Sequence, residues 1–212
     1  EIVERQRKAI EVRLGELQQK FIDVAGSGVE IEWRGELANP TKFLAQIARA
    51  ADLIVTGSPE GAISADSYRS ADLGNLILEA GRPVLLAAGG AEHLPARKVL
   101  IAWKDCREAR RAVIDALPFL SGANEVIIAT AERKESATAK ESAADVAAYL
   151  ARHGVRAKTE RIIGKNEAED LLKLARSIHA DLIVSGAYGH SRFQEWMFGG
   201  VTISLLDEIR IS

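Results

Sequence analysis

The chain has a single cysteine, Cys106, in 212 residues. That excludes an internal disulfide and points to a reducing compartment, so a cytoplasmic protein is expected. An excess of one charge is missing as well, because 28 basic residues face 30 acidic ones. A surface dedicated to nucleic acid usually carries a basic excess, so nucleic acid is not an expected partner. No apolar run reaches the roughly 20 residues that cross a bilayer, and no membrane partner is expected. No secretory leader is legible; because the residues begin at Glu1 rather than at a methionine, that absence excludes nothing. Apolar side chains, by contrast, are plentiful. They make up 47% of the chain, enough for a sizeable core.

The densest pattern runs from Asp181 to Leu206. Asp181-Leu182-Ile183-Val184 is a short apolar run closed by Ser185 and Gly186, which reads as a buried strand. Gly186 and Gly189 follow, then a nine-residue insertion, then Gly199, Gly200, Val201 and Thr202 at the head of an apolar-periodic tail. Glycines at that place let backbone N–H groups approach a bulky anion, and a helix N-terminus adds partial positive charge. The residues therefore predict strand, glycine loop, insertion, glycine turn and helix, a phosphate-binding geometry in an α/β fold. A plainer reading is that the glycines only permit tight turns and close helix–sheet packing.

The chain also repeats itself. Asp52-Leu53-Ile54-Val55-Thr56-Gly57 matches Asp181-Leu182-Ile183-Val184-Ser185-Gly186. An amphipathic helix precedes each, through Phe43, Leu44, Ile47 and Ala48 in one and Leu171, Leu172, Leu174 and Ala175 in the other. Ahead of these lie alternating segments (Val29 to Trp33, Val155 to Ile163) and charged helices (Val3 to Phe21, Ser142 to His153). Strands alternating with helices imply a parallel sheet covered on both faces, of doubly wound topology. The expected units are residues 1–88 and 97–212, joined by a small-residue linker from about Ala87 to Arg97.

The units are unequal. The second opens with a strand over Lys98 to Trp103, a helix from about Arg107 to Leu117 and a strand over Glu125 to Thr130. The first has no counterpart of these three elements. It is expected to belong to a longer chain whose preceding strands are not in this sequence; a degenerate half-domain is the alternative.

The glycine spacing resembles the nucleotide-binding signature of the universal stress protein family, and the two-unit pattern is similar to its tandem members over the whole length. The resemblance implies two tandem doubly wound parallel-sheet domains of the adenine nucleotide alpha hydrolase-like class. It implies a stress-linked regulatory protein that binds ATP or a related adenine nucleotide in its second domain, with Mg²⁺ when triphosphate is bound. Gly186, Gly189, Gly199, Gly200, Val201 and Thr202 would hold phosphates and ribose. Gly200 stands where the family pattern has Ser or Thr, so one hydroxyl is absent, while the Thr202 hydroxyl is nearby. His190 would approach ribose or phosphate, or lie on a plain surface loop, and Arg192 would meet phosphate through its fork of donors. The family places an acidic adenine contact at the end of the first strand. Here Lys104 takes that position and Asp105 follows it. Asp105 is thus a candidate adenine contact and also a candidate N-cap of the following helix. The resemblance further implies that the two domains pair within the chain, replacing the dimer of single-domain relatives, with a homodimer as a further pairing to consider.

The first unit lacks the signature. Three residues separate Gly57 from Gly61, and Ala71-Asp72 stands where the second unit has Gly199-Gly200. An acidic group there repels phosphate, so Asp72 reads as a helix-start charge. No His or carboxylate lies at catalytic spacing from a nucleophile, so no triad is expected. His153 and His179 have no ligand-spaced neighbours, so no metal site is expected. Two alternatives to a nucleotide-binding regulator stand: an interaction module whose site has decayed, and a slow ATP hydrolase. Cys106, beside Lys104 and Arg107, is a candidate redox thiol. Ala131 to Ser142 has no strong pattern and reads as a mobile loop.

Overall fold

The computed structural model of the chain describes residues 2–57, 71–87 and 93–187. The first unit contains helices α1 (Ile2–Ala25) and α2 (Pro40–Ile47), strand β1 (Ile54–Gly57), helix α3 (Leu73–Ala80) and strand β2 (Val84–Ala87). Helix α2 starts where Asn39 accepts a hydrogen bond from the Lys42 N–H and Pro40 takes the first turn, a position that needs no donor. Asp72 caps α3 by accepting from the Asn75 N–H at 3.0 Å, so it is a helix-start charge as expected. Gly81, with φ of 59°, closes that helix in the left-handed conformation. The Asp72 N–H donates to Thr41 Oγ1 at 2.9 Å and so ties α3 to α2. Both helices lie on a two-stranded parallel sheet, β1 against β2, over a small core of Ala48, Ile54, Leu73 and Leu76.

One expectation fails here. Val29 to Trp33 alternates like a strand but forms none. A strand is completed by a neighbour's backbone groups, and its counterpart in the second unit pairs with a strand that the first unit does not contain. Trp33 instead stacks obliquely on Phe21 of α1, with ring centroids 5.7 Å apart.

The second unit is built on β3 (Lys98–Ala102), helices α4 (Arg107–Asp115) and α5 (Leu117–Leu120), β4 (Glu125–Glu132), α6 (Ala137–Arg152), β5 (Ala157–Ile163), α7 (Glu167–Ser177) and β6 (Leu182–Ser185). All four strands are parallel, in the order β5-β4-β3-β6. Side chains alternate across a sheet, and the sequence uses both faces. Val99, Ile101, Trp103, Val126 and Ile128 face one layer with Ala109, Val113, Leu120 and Leu150. Leu100, Ile127 and Ala129 face the other, with Ala175 of α7. Burial on both sides explains the near-continuous apolar run of β3. The doubly wound α/β expectation is met.

The segment read as a loop over Ala131 to Ser142 is shorter than expected. Strand β4 runs on to Glu132, and α6 begins at Ala137, where the Ser136 hydroxyl accepts from the Ala139 N–H at 3.2 Å. A serine cap and alanine-rich first turn are local helix signals that weak amphipathicity concealed.

Candidate functional site

Because the strands are parallel, their carboxyl ends share one edge, the edge at which open α/β sheets usually receive ligands. Here it gathers Lys104 and Asp105 after β3, Glu132 at the end of β4, Gly164 after β5, and Gly186 after β6. Trp103 anchors the β3 end. Its N–H donates to the Ala129 carbonyl at 2.8 Å and its indole Nε1 to Ser142 Oγ at 3.1 Å.

Gly186 has a clear packing role. A Cβ there would strike the backbone nitrogen of Ala109, with Glu108 C at 2.7 Å and Ala109 Cα at 2.9 Å. The end of β6 is pressed against the first turn of α4, and only glycine fits without moving backbone. The close-packing reading of this glycine therefore holds, whatever else its N–H does.

Asp105 is not the helix cap. Cys106 occupies the N-cap position of α4 in extended conformation and makes no side-chain capping bond. Asp105 turns instead to Arg110, whose Nε and Nη2 both donate to its Oδ1, at 2.9 and 2.6 Å. A guanidinium is a stronger partner for a carboxylate than a neutral amide, which is why the cap is forgone. Lys104 lies 3.6 Å from Glu167 of α7. Both pairs are substantially exposed, so a ligand competes with them at little cost. Cys106 contacts the carboxylate of Glu108, which is held below the usual carboxylate range by its own backbone N–H first, then by Arg107, with Cys106 a lesser contributor.

The edge also holds residues that the sequence did not single out. Glu132 Oε2 and Asp170 Oδ2 are buried with no hydrogen-bond partner among the described residues. Gly164 makes room for Asp170, since a Cβ at 164 would collide with that carboxylate. The legible signal was a glutamate closing β4 after its apolar run and a glycine directly after β5. Among the described residues no cluster of three or more His, Cys, Asp or Glu is arranged to hold a metal. Also among them, no helix is long and apolar enough to cross a membrane. Gly189, His190, Arg192, Gly199, Gly200, Val201 and Thr202 lie outside the described residues.

The protein-family model described as "Universal stress protein family" matches residues 96–212, more than half of the chain. The chain belongs to the universal stress protein family. The match takes in the whole four-stranded unit and the glycine segment after it. Among solved structures, a universal stress protein from Archaeoglobus fulgidus DSM 4304 superposes over all of this chain and 75% of its own, at a TM-score of 0.67 and 21% identity. That likeness is one of fold. A universal-stress-family protein from Burkholderia pseudomallei aligns with 54% of this chain and 92% of its own, at a TM-score of 0.38 and 20% identity. A universal stress protein solved in complex with cAMP aligns with 52% of this chain and 88% of its own, at a TM-score of 0.38 and 24% identity. Among curated proteins, nothing matches significantly.

Proposed function

We propose that this universal stress protein is a regulatory protein that binds ATP or a related adenine nucleotide at the carboxyl edge of its second sheet. The observation that carries this reading is the glycine string from Gly186 to Thr202, which begins where β6 ends and falls inside the family match. The described residues at that edge suit such a ligand. Asp105 is a half-exposed acceptor for an adenine amino group or a ribose hydroxyl once it leaves Arg110. Lys104 is a cation at the same rim, held among the described residues by an exposed carboxylate. Gly189, Gly199, Gly200 and Thr202 would supply backbone donors and a hydroxyl to the phosphates, with Mg²⁺ carried by the triphosphate. The first unit lacks that string and serves as the structural partner of the second within the chain.

A second reading is favoured by a specific observation. Gly186 is accounted for by packing on α4 alone, and Lys104 and Asp105 already have protein partners. On that reading the edge is a decayed site on an interaction module. Titration calorimetry with Mg-ATP separates the two, using the full chain beside a Gly189→Trp variant whose side chain fills the loop. One site per chain, lost in the variant, upholds nucleotide binding. No heat and no thermal stabilisation at millimolar Mg-ATP overturns it in favour of the interaction module. Release of inorganic phosphate on prolonged incubation would assign slow hydrolysis.

A further inference from the structure

The opposite edge of the same sheet carries a basic cleft that the nucleotide reading does not use. The amino ends of the parallel strands meet there around a cavity of about 440 Å³. Its walls include Arg97 and Lys98 at the start of β3, Asn124 and Glu125 at the start of β4, and Arg156 and Lys158 at the start of β5. Four basic side chains thus face one carboxylate, in a chain whose formal net charge is −2. A cleft of one sign in a chain of the other concentrates the field on whatever anion enters it.

The single carboxylate is already committed. Glu125 accepts from Lys158 Nζ at 2.7 Å and lies 3.5 Å from Lys98 Nζ. The Lys158 hydrogen bond and charge hold the Glu125 carboxyl below its ordinary range, and Glu125 in turn raises Lys158. Both therefore stay charged at neutral pH. The guanidinium groups of Arg97 and Arg156 have no hydrogen-bond or ion-pair partner among the described residues.

The main chain that carries Arg97 is fixed on both sides. The Arg97 and Lys98 N–H groups donate to Asp181 Oδ2 at 2.9 and 2.8 Å. The Arg97 carbonyl accepts from the Asn124 and Glu125 N–H groups at 2.7 and 3.0 Å. The charge of Asp181, the other acid close by, is therefore engaged by backbone donors. Ala96, just before, is buried and held at φ of 44°, a conformation that persists only where its surroundings impose it. An arginine rooted in so constrained a backbone loses less freedom on binding.

We propose that this cleft binds a small phosphorylated anion with two or more negative charges, with Arg97 and Arg156 as its forked donors. Lys98 and Lys158 add charge from either side of β4, about 12 Å apart at the backbone, two strand spacings across and two residues along. Phosphate suits this arrangement better than carboxylate. Its oxygens diverge tetrahedrally and meet donors from both flanks, whereas a carboxylate presents two oxygens in one plane. The cleft lies roughly 20 Å from the Gly186 edge, the length of the strands between them, so the two sites are separable.

Inorganic pyrophosphate is the probe, titrated calorimetrically into the full chain at low salt. One saturable site is expected. It should persist in Gly189→Trp and weaken about tenfold or more in the Arg97→Gln/Arg156→Gln double variant, whose thermal midpoint stays unchanged. Arg111→Gln, which removes a charge on α4, should leave binding intact. The proposal is overturned by no binding at millimolar pyrophosphate, by binding that survives the double variant, or by equal weakening in Arg111→Gln. Loss of binding in Gly189→Trp would also overturn it, by assigning the anion to the nucleotide edge. Citrate binding as tightly as pyrophosphate would overturn the choice of phosphate.

Discussion

The two units share a pattern of residues and differ in what that pattern meets. Asp52 to Gly57 and Asp181 to Gly186 are nearly the same string, and both yield a short parallel strand. In the second unit that strand lies against β3, while in the first β1 has β2 as its only described neighbour. Almost every contrast follows. Asp181 accepts two backbone N–H groups from the start of β3, whereas Asp52 makes no such bond among the described residues. Gly186 is wedged against α4, whereas a Cβ on Gly57 would meet nothing within 4 Å. The same residues carry stability only where the neighbouring elements exist to receive them.

Four experiments sharpen or break that comparison. The largest effect is expected in the helices that precede the left-handed glycines. Leu150, four residues before Gly154, is 0% exposed, while Ile22, four residues before Gly26, is 42% exposed. Leu150→Ala should destabilise by about 3 kcal/mol, within the usual span of a core truncation. Ile22→Ala should cost less than about 1 kcal/mol, since a large part of its surface is already wet. Urea unfolding followed by circular dichroism reads both, and equal losses would mean that α1 is as buried as α6.

Next come the matched glycines. Gly186→Ala forces a Cβ into backbone and should cost about 1–3 kcal/mol. Gly57→Ala should fall within about 0.5 kcal/mol of no change. Gly164→Ala should lie between them, because the atoms it meets belong to the Asp170 side chain, which can turn away. Thermal midpoints rank the three, and a harmless Gly186→Ala would mean that β6 and α4 are not in contact.

The matched aspartates give a smaller effect. Asp181→Ala leaves the Arg97 and Lys98 N–H groups without their acceptor, a loss of about 1–2 kcal/mol. Asp52→Ala should be nearly silent. Hydrogen exchange at the Arg97 and Lys98 amides is the direct check, and unchanged protection would refute the bond.

How far these differences were legible depends on the range of the interactions involved. The apolar runs of β3 and β4 and the apolar stripes of α2 and α7 depend on neighbours one to four residues away, so they read directly. The Asp72 cap reads for the same reason, since its partner is the Asn75 N–H. Asp105 was misleading because two partners compete within five residues, and charge, not proximity, decided for Arg110 over the α4 backbone. Much of the glycine signature falls beyond the described residues, and what remains of it, Gly186, shows how one glycine supports two readings until its neighbour across the fold is known.

The smallest expected effect is on pH. Glu125, Glu169 and Glu108 all titrate below the usual glutamate range, the first two chiefly through hydrogen bonds from Lys158 and Lys173. A lowered folded value stabilises the fold above the unfolded carboxylate value, about 4.3, and that contribution is lost as the pH falls through the lowered value. These three lie in the second unit, whereas the first holds one such group among the described residues, Glu32, lowered chiefly by its hydrogen bond from Arg34. Acid titration below about pH 4.5 should therefore loosen the second unit slightly, and salt should blunt the effect, because these groups are exposed. A stability that stays flat through that window at low salt would refute the pairs.

By itself the sequence determined the alternation of strands and helices, the parallel doubly wound class, the repeated strand string and the family, because periodicity and glycine spacing are written along the chain. The tertiary structure alone decided that Val29 to Trp33 forms no strand and that Gly186 is fixed by α4. It alone gathered Arg97, Lys98, Arg156 and Lys158 around one cleft. A strand needs a neighbour's hydrogen bonds, a close approach needs a second backbone, and a concentrated charge needs residues 60 positions apart brought together by parallel pairing; none of these is a property of local sequence.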